Sequence, residues 1–124
     1  MKIVLDTNVI IAAFASRGLC AELLEECLKN YEIILSEYIL SEVIQKLITK
    51  ICIPSRVAQE ISNFLKEHAT IVTPEDLPII GTALAGKAQF LITGDKELLK
   101  LKMYRTVEII SPRKFWEKYI IKSG

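Results

Sequence analysis

The sequence predicts an α/β fold in which five short strands, separated by helices, form a parallel sheet covered on both faces. Three observations predict it. Short apolar runs alternate along the chain with segments whose apolar residues recur at helical spacing. Strands and helices in strict alternation imply parallel strands with helical crossovers, and such sheets are buried on both sides. The chain has 124 residues, the size of one domain, and carries no repeat, low-complexity tract or linker. Residues 1–124 are therefore expected to form a single domain.

The elements follow in order. Lys2-Ile3-Val4-Leu5 is a strand that stops at Asp6. Residues 8–16 are apolar enough for a buried helix, which Gly18 breaks, and residues 21–29 repeat apolar positions at Leu23, Leu24, Cys27 and Leu28. Residues 32–35 form a second strand, and Ser36 is placed to cap a helix over 37–50. Pro54 and Ser55 open a helix to about His68, and residues 70–72 form a brief strand. A Thr73-Pro74-Glu75-Asp76 turn then leads into a helix over 77–86, where Pro78 is tolerated in the first turn. Residues 89–93 are a strand, 95–100 a short helix and 107–110 a strand; Ser111 and Pro112 start the last helix, through about Ile120.

Composition narrows the classes. The chain is 51% hydrophobic and 25% charged, which suits a packed core and excludes disorder. Its net charge of +1 advertises neither nucleic acid nor membrane. No apolar run approaches the roughly 18 residues of a membrane-spanning helix. Asp6 and Asn8 interrupt the N-terminal apolar stretch, so it reads as a strand entering a helix and not as a signal peptide. Cys20, Cys27 and Cys52 form no C-x-x-C pair, and His68 is the only histidine. That pattern disfavours structural zinc and suits reduced cysteines in a cytoplasmic protein.

The acids divide unevenly, with twelve Glu and only three Asp: Asp6, Asp76 and Asp95. Asp6 and Asp95 each follow an apolar strand, at the sheet edge where such folds place their ligands. Asp76 opens the helix before the Asp95 strand, near the same edge. Helix capping explains Asp76 or Asp95 singly, but three Asp at one edge favour a shared site. Crowded carboxylates repel unless a cation sits among them, and a donor set of oxygens alone favours Mg²⁺ or Mn²⁺. Glu42 does not belong to this group by periodicity. It falls roughly 150° from the face formed by Leu40, Val43, Ile44, Leu47 and Ile51, which makes it a solvated helix residue.

The sequence resembles the PIN-domain family, the nuclease domain of many toxin–antitoxin toxins, over essentially its whole length. The resemblance rests on Val4-Leu5-Asp6-Thr7-Asn8-Val9, on Leu35-Ser36 leading to Glu42-Val43, and on Asp76-Leu77-Pro78-Ile79-Ile80. Leu91-Ile92-Thr93-Gly94-Asp95-Lys96-Glu97-Leu98-Leu99 is the most specific stretch, and Ser111-Pro112-Arg113-Lys114-Phe115 matches the closing motif. It implies a three-layer α/β/α domain with strand order 3-2-1-4-5 and a Mg²⁺- or Mn²⁺-dependent endoribonuclease. Asp6, Glu42, Asp76 and Asp95 stand at the family's acidic positions, so the resemblance overrides the helical wheel for Glu42. Asn8, Ser36 and Thr93 match supporting polar positions, and Glu97 adds an outer acid. Thr73 departs from the pattern, standing where related sequences often carry another Asp. A cognate antitoxin protein and a homodimer are also implied.

Metal-assisted hydrolysis of RNA is the chemistry expected, with Asp6, Asp76 and Asp95 holding one cation. Glu42 would complete a second site or position the attacking water. Residues 95–124 hold eight basic residues against four acidic ones, and Lys96, Lys114 and Lys118 are the candidates for gripping phosphates. Lys114, Lys118 and Lys122 also form an i, i+4 stripe that a solvated helix face would show equally well. Two rival readings stand: a PIN-like module that binds RNA or protein without cutting, and a haloacid-dehalogenase-like phosphatase. Against the phosphatase, Asn8 stands where its acid/base Asp is needed.

Overall fold

The computed structural model describes residues 1–73 and 78–121. β1 (Lys2–Leu5) enters α1 (Thr7–Ala15), and α2 (Leu19–Asn30) follows after Gly18. β2 (Glu32–Ser36) leads into α3 (Glu37–Thr49), α4 (Ser55–His68) and β3 (Ala69–Val72). Then come α5 (Pro78–Ala85), β4 (Phe90–Ile92) and α6 (Lys96–Leu99). β5 (Met103–Tyr104), β6 (Val107–Ile110) and α7 (Pro112–Phe115) close the fold, α7 continuing as a π-helical turn over Trp116–Ile120.

The sheet runs β3-β2-β1-β4-β6-β5, and every pairing is parallel except β5 with β6. The five long strands thus have the 3-2-1-4-5 order that the resemblance implied, with a two-residue antiparallel strand added at one edge. Ile3, Val4 and Leu5 of β1, Ile33–Leu35 of β2 and Leu91 and Ile92 of β4 are almost completely buried. Such strands carry continuous apolar runs because helices cover both faces. α1 packs on α2 and α3, α3 on α4, and α5 lies against β1, β2 and β4. Phe115 of α7 sits edge-on to Tyr31 and Phe90, which ties the C-terminal helix to α2 and the sheet.

Three local expectations need correction. The added strand β5 lies between Lys102 and Arg105, whose φ values of 59° and 54° turn the chain sharply. Left-handed non-glycine residues carry no composition signal, so the hairpin is silent in the sequence. The last helix is not a uniform α-helix, because its second half widens into the π turn; an i, i+4 reading of Lys114 and Lys118 therefore does not describe one straight stripe. Ile51 lies beyond the end of α3 and is exposed, so it is not part of the core face assigned to it.

The chain runs from β1 out to β3, then returns through α5 to place β4 on the other side of β1. The order therefore reverses between β1 and β4. At such a switch point the crossovers diverge and leave a crevice outside the carboxyl ends of the strands. Leu5 pairs with Ile92 in register, so the residues that follow them emerge side by side. Among the described residues no single helix is long and apolar enough to cross a membrane.

Candidate active site

Asp6 is still held by the sheet when the chain turns into α1: its N–H donates to the Ile92 carbonyl at 2.9 Å. Its carboxylate then serves two neighbours. Oδ1 accepts from the Thr7 N–H at 2.7 Å, capping α1, and Oδ2 accepts from the Thr93 hydroxyl at 2.6 Å. Thr93 has no solvent exposure and is fixed by its own N–H, which donates to the Ile110 carbonyl at 3.0 Å. The same Thr93 oxygen accepts from the Asp95 N–H at 3.0 Å. Asp95 is exposed and caps α6, its Oδ1 accepting from the Glu97 N–H at 2.8 Å. One buried hydroxyl therefore joins two aspartates from neighbouring strands.

Glu42 joins them from the other side. α3 packs on α1, so the flank of α3 away from its core face meets α1 and not only solvent. The solvated reading of Glu42 from the helical wheel is overturned: it is half-buried and accepts two hydrogen bonds. Oε1 takes one from the Thr7 hydroxyl at 2.8 Å, and Oε2 one from the Tyr38 hydroxyl at 3.2 Å. Tyr38 in turn has its pKa raised, first by that hydrogen bond, then by the Glu42 charge, by slight desolvation and by Asp6. It stays a neutral donor across the physiological range. Lys46, one turn beyond Glu42, donates to Asn8 Oδ1 at 3.2 Å.

The predicted residues divide accordingly. Asp6, Thr93, Asp95 and Glu42 are linked through hydrogen bonds, and Asn8 is exposed beside them, bonded to Lys46. Ser36 is fully buried and caps α3, accepting from the Ile39 N–H at 3.3 Å. Glu97 points to solvent and pairs with Lys100 at 3.3 Å, an exposed ion pair of little energetic weight. Asp76 lies outside the described residues, as does the turn that precedes it from Pro74. Sequence reasoning missed Thr7, Tyr38 and Lys46. The available signal was spacing: Tyr38 and Lys46 stand four residues on either side of Glu42, on the same flank of α3.

The donor chemistry fits a hard divalent cation, because the linked groups are carboxylates and hydroxyls with no His or Cys among them. None of the ion pairs among the described residues engages Asp6, Glu42 or Asp95. Among those residues, no three His, Cys, Asp or Glu side chains converge closely enough to enclose an ion.

The model of the PIN domain family matches residues 2–97, a span that contains Asp6, Glu42, Asp76 and Asp95. The chain belongs to the PIN-domain family. As a PIN domain it is similar in fold to a chain in the crystal structure of VapBC2 from Rickettsia felis bound to a DNA fragment from their promoter. The TM-score is 0.63 at 18% identity, over 90% of this chain and 98% of that one. Identity this low speaks for the fold alone. No curated protein sequence matches the chain.

The basic residues that the sequence offered for gripping RNA in this PIN domain are unevenly committed. Lys96 is exposed at the start of α6, and Lys114 is exposed on α7. Lys118 reaches Glu108 at 3.5 Å and lies over the Tyr119 ring, and both neighbours raise its pKa. Arg113 pairs with Glu117 at 3.9 Å. Lys122 lies outside the described residues.

Proposed function

We propose that this PIN domain is a Mg²⁺- or Mn²⁺-dependent endoribonuclease and the toxin of a toxin–antitoxin pair. PIN domains are generally nucleases, and the family match covers all four acidic positions. The single observation that carries the reading is the hydrogen-bond chain Glu42–Thr7–Asp6–Thr93–Asp95 at the β1/β4 switch point, which fixes the Asp6 and Glu42 carboxylates and ties the Asp95 backbone to them.

Asp6, Asp95, Glu42 and Asp76 are the residues that would hold the cation. When bound, it supplies Lewis acidity, screening charge on the phosphodiester and lowering the pKa of water. The protein's own part is orientation. Thr7 and Thr93 fix both Asp6 oxygens, so the carboxylate loses little freedom when it binds. Tyr38 and Thr7 hold Glu42 toward the same edge, and Asn8 and Lys46 present polar groups beside it. Asp6, Glu42 and Asp95 would repel one another less with a cation among them, and the basic C-terminal third would attract the RNA backbone.

The toxin role and a partner antitoxin are supported by the likeness to a chain of a VapBC complex, and a homodimer is part of the same proposal. The deciding experiment is the Asp6→Asn protein assayed with Mn²⁺ on single-stranded RNA. Cleavage should fall by about two orders of magnitude or more, and undiminished cleavage would falsify the metal-site reading. Calorimetry with Mn²⁺ separates a nuclease from a non-cutting scaffold, which has no use for the cation. A small reading frame next to the gene, encoding a protein that inhibits cleavage, tests the toxin role.

A further inference from the structure

A pocket of about 530 Å³ opens between α6, β6 and α7; Asp6, Glu42 and Asp95 do not line it, but α6 is the helix that Asp95 caps. Leu99 gives it an apolar wall, the nearly buried Ile109 and Ile110 form its floor, and Ser111, Lys102 and Lys114 supply polar groups. Its location follows from the register of the sheet. Ile110 pairs with Ile92, its carbonyl accepts the Thr93 N–H, and Leu99 closes the helix that Asp95 caps.

The charges in the pocket are not balanced. Both of its acids are already paired, Glu108 with Lys118 at 3.5 Å and Glu117 with Arg113 at 3.9 Å. Lys102 and Lys114 make no ion pair among the described residues. Two uncompensated ammonium groups beside an apolar lining suit a ligand that is both anionic and flat-faced. A nucleotide has that chemistry, and the volume lies within the range of small-ligand sites. An acidic peptide would satisfy the lysines but leave the apolar lining unused.

We infer that this pocket is a nucleotide subsite for single-stranded RNA, with a base against Leu99, Ile109 and Ile110 and its phosphate held by Lys102 and Lys114. The inference rests on the nuclease reading and deepens it, by placing part of the substrate grip on the β6–α7 side of the acidic edge. Lys118, held by Glu108 and Tyr119, is a wall of the subsite and not a phosphate ligand.

The test is binding of a short fluorescein-labelled single-stranded RNA, measured by anisotropy in EDTA so that no cleavage occurs. The Lys102→Gln/Lys114→Gln protein should bind about tenfold more weakly, with a salt slope shallower by roughly 1.4 for two lost phosphate contacts. Lys29→Gln/Lys50→Gln, which removes two exposed lysines elsewhere, should bind like the wild type. Leu99→Ala should weaken binding without changing the salt slope. If the double variant binds as tightly as wild type, or the control loses as much, the subsite is wrong while Mn²⁺-dependent cleavage still upholds the nuclease. If pocket variants lose RNA binding in a protein that never cleaves RNA, the subsite stands and the nuclease reading falls. Tighter binding of an oligoglutamate peptide than of RNA overturns the nucleotide assignment.

Discussion

The hydroxyl of Thr7 donates to Glu42 Oε1 at 2.8 Å, although 35 residues separate them. Thr7 also supplies the N–H that caps onto Asp6, so one small residue orients two acids, one through its backbone and one through its side chain. It is almost completely buried, which fixes that hydroxyl in place.

Thr7→Val keeps the shape and removes the donor. Glu42 is half-buried, so water replaces the lost bond at modest cost, about 1 kcal/mol of stability. Orientation of Glu42 is lost nonetheless, and kcat/KM for RNA should drop about tenfold with Mn²⁺ saturating. Thr7→Ser should retain most of the activity. Steady-state cleavage together with thermal melts checks both halves, and a Val variant as active as wild type would show that the Thr7 bond is not what orients Glu42.

Thr93→Val should be harsher. The hydroxyl is fully buried and serves Asp6 and the Asp95 N–H at once, so its loss leaves two groups short of a partner. Asp6 is half-buried and Asp95 exposed, so water makes up part of the loss, and the cost should be about 1–2 kcal/mol. The expected outcome is a lower melting temperature combined with weaker Mn²⁺ binding, read by calorimetry. Unchanged metal affinity would separate Thr93 from the site and leave it a purely structural hydroxyl.

Much of this was legible in the residues. Asp6 and Asp95 announced themselves because both fall at the carboxyl ends of apolar strands, and together with Asp76 they were too many at one edge to be read as separate caps. The strand order came from the family resemblance, and the structure adds only β5. Glu42 was opaque to periodicity, because a wheel locates the core face of α3 but does not show that its other flank meets α1. Thr7 was hidden for a related reason: a threonine at the start of a helix looks like ordinary helix-start chemistry. The left-handed Lys102 and Arg105 and the π turn after Phe115 leave no compositional trace.

Cys27 links the core to alkaline stability. Burial, with a smaller contribution from the Glu26 charge, pushes its thiol from 9.0 to about 12. The unfolded chain therefore releases this proton near pH 9 while the folded chain keeps it, so unfolding gains as pH rises. Stability is fully present below pH 9 and declines from there towards pH 12, by about 1.4 kcal/mol per pH unit at most. Urea titrations at pH 8.5 and 10.5 measure the decline, and Cys27→Ala should flatten it. A slope equal in both proteins would assign the effect to other groups.

Gly86 opens the turn after α5, where an added Cβ would overlap Cγ2 of the buried Ile34. The overlapping group is a β-branched side chain on a central strand, which has little room to move. Gly86→Ala should cost about 1–3 kcal/mol. The Ile34→Ala change relieves the overlap, so the double variant should be less destabilised than the two single costs added together. Strict additivity in denaturant melts would rule out the clash.

The pairing of Leu5 with Ile92 also sets a schedule for synthesis. The first half of the site is translated within the opening eight residues, but Thr93, the group that fixes the second Asp6 oxygen, emerges some ninety residues later. Thr93 is itself anchored by Ile110, so the chain through Ile110 must leave the ribosome before the acidic edge can close. A nascent polypeptide therefore carries the acids without their arrangement. The edge takes its geometry only once the strand that carries Ile110 has been made.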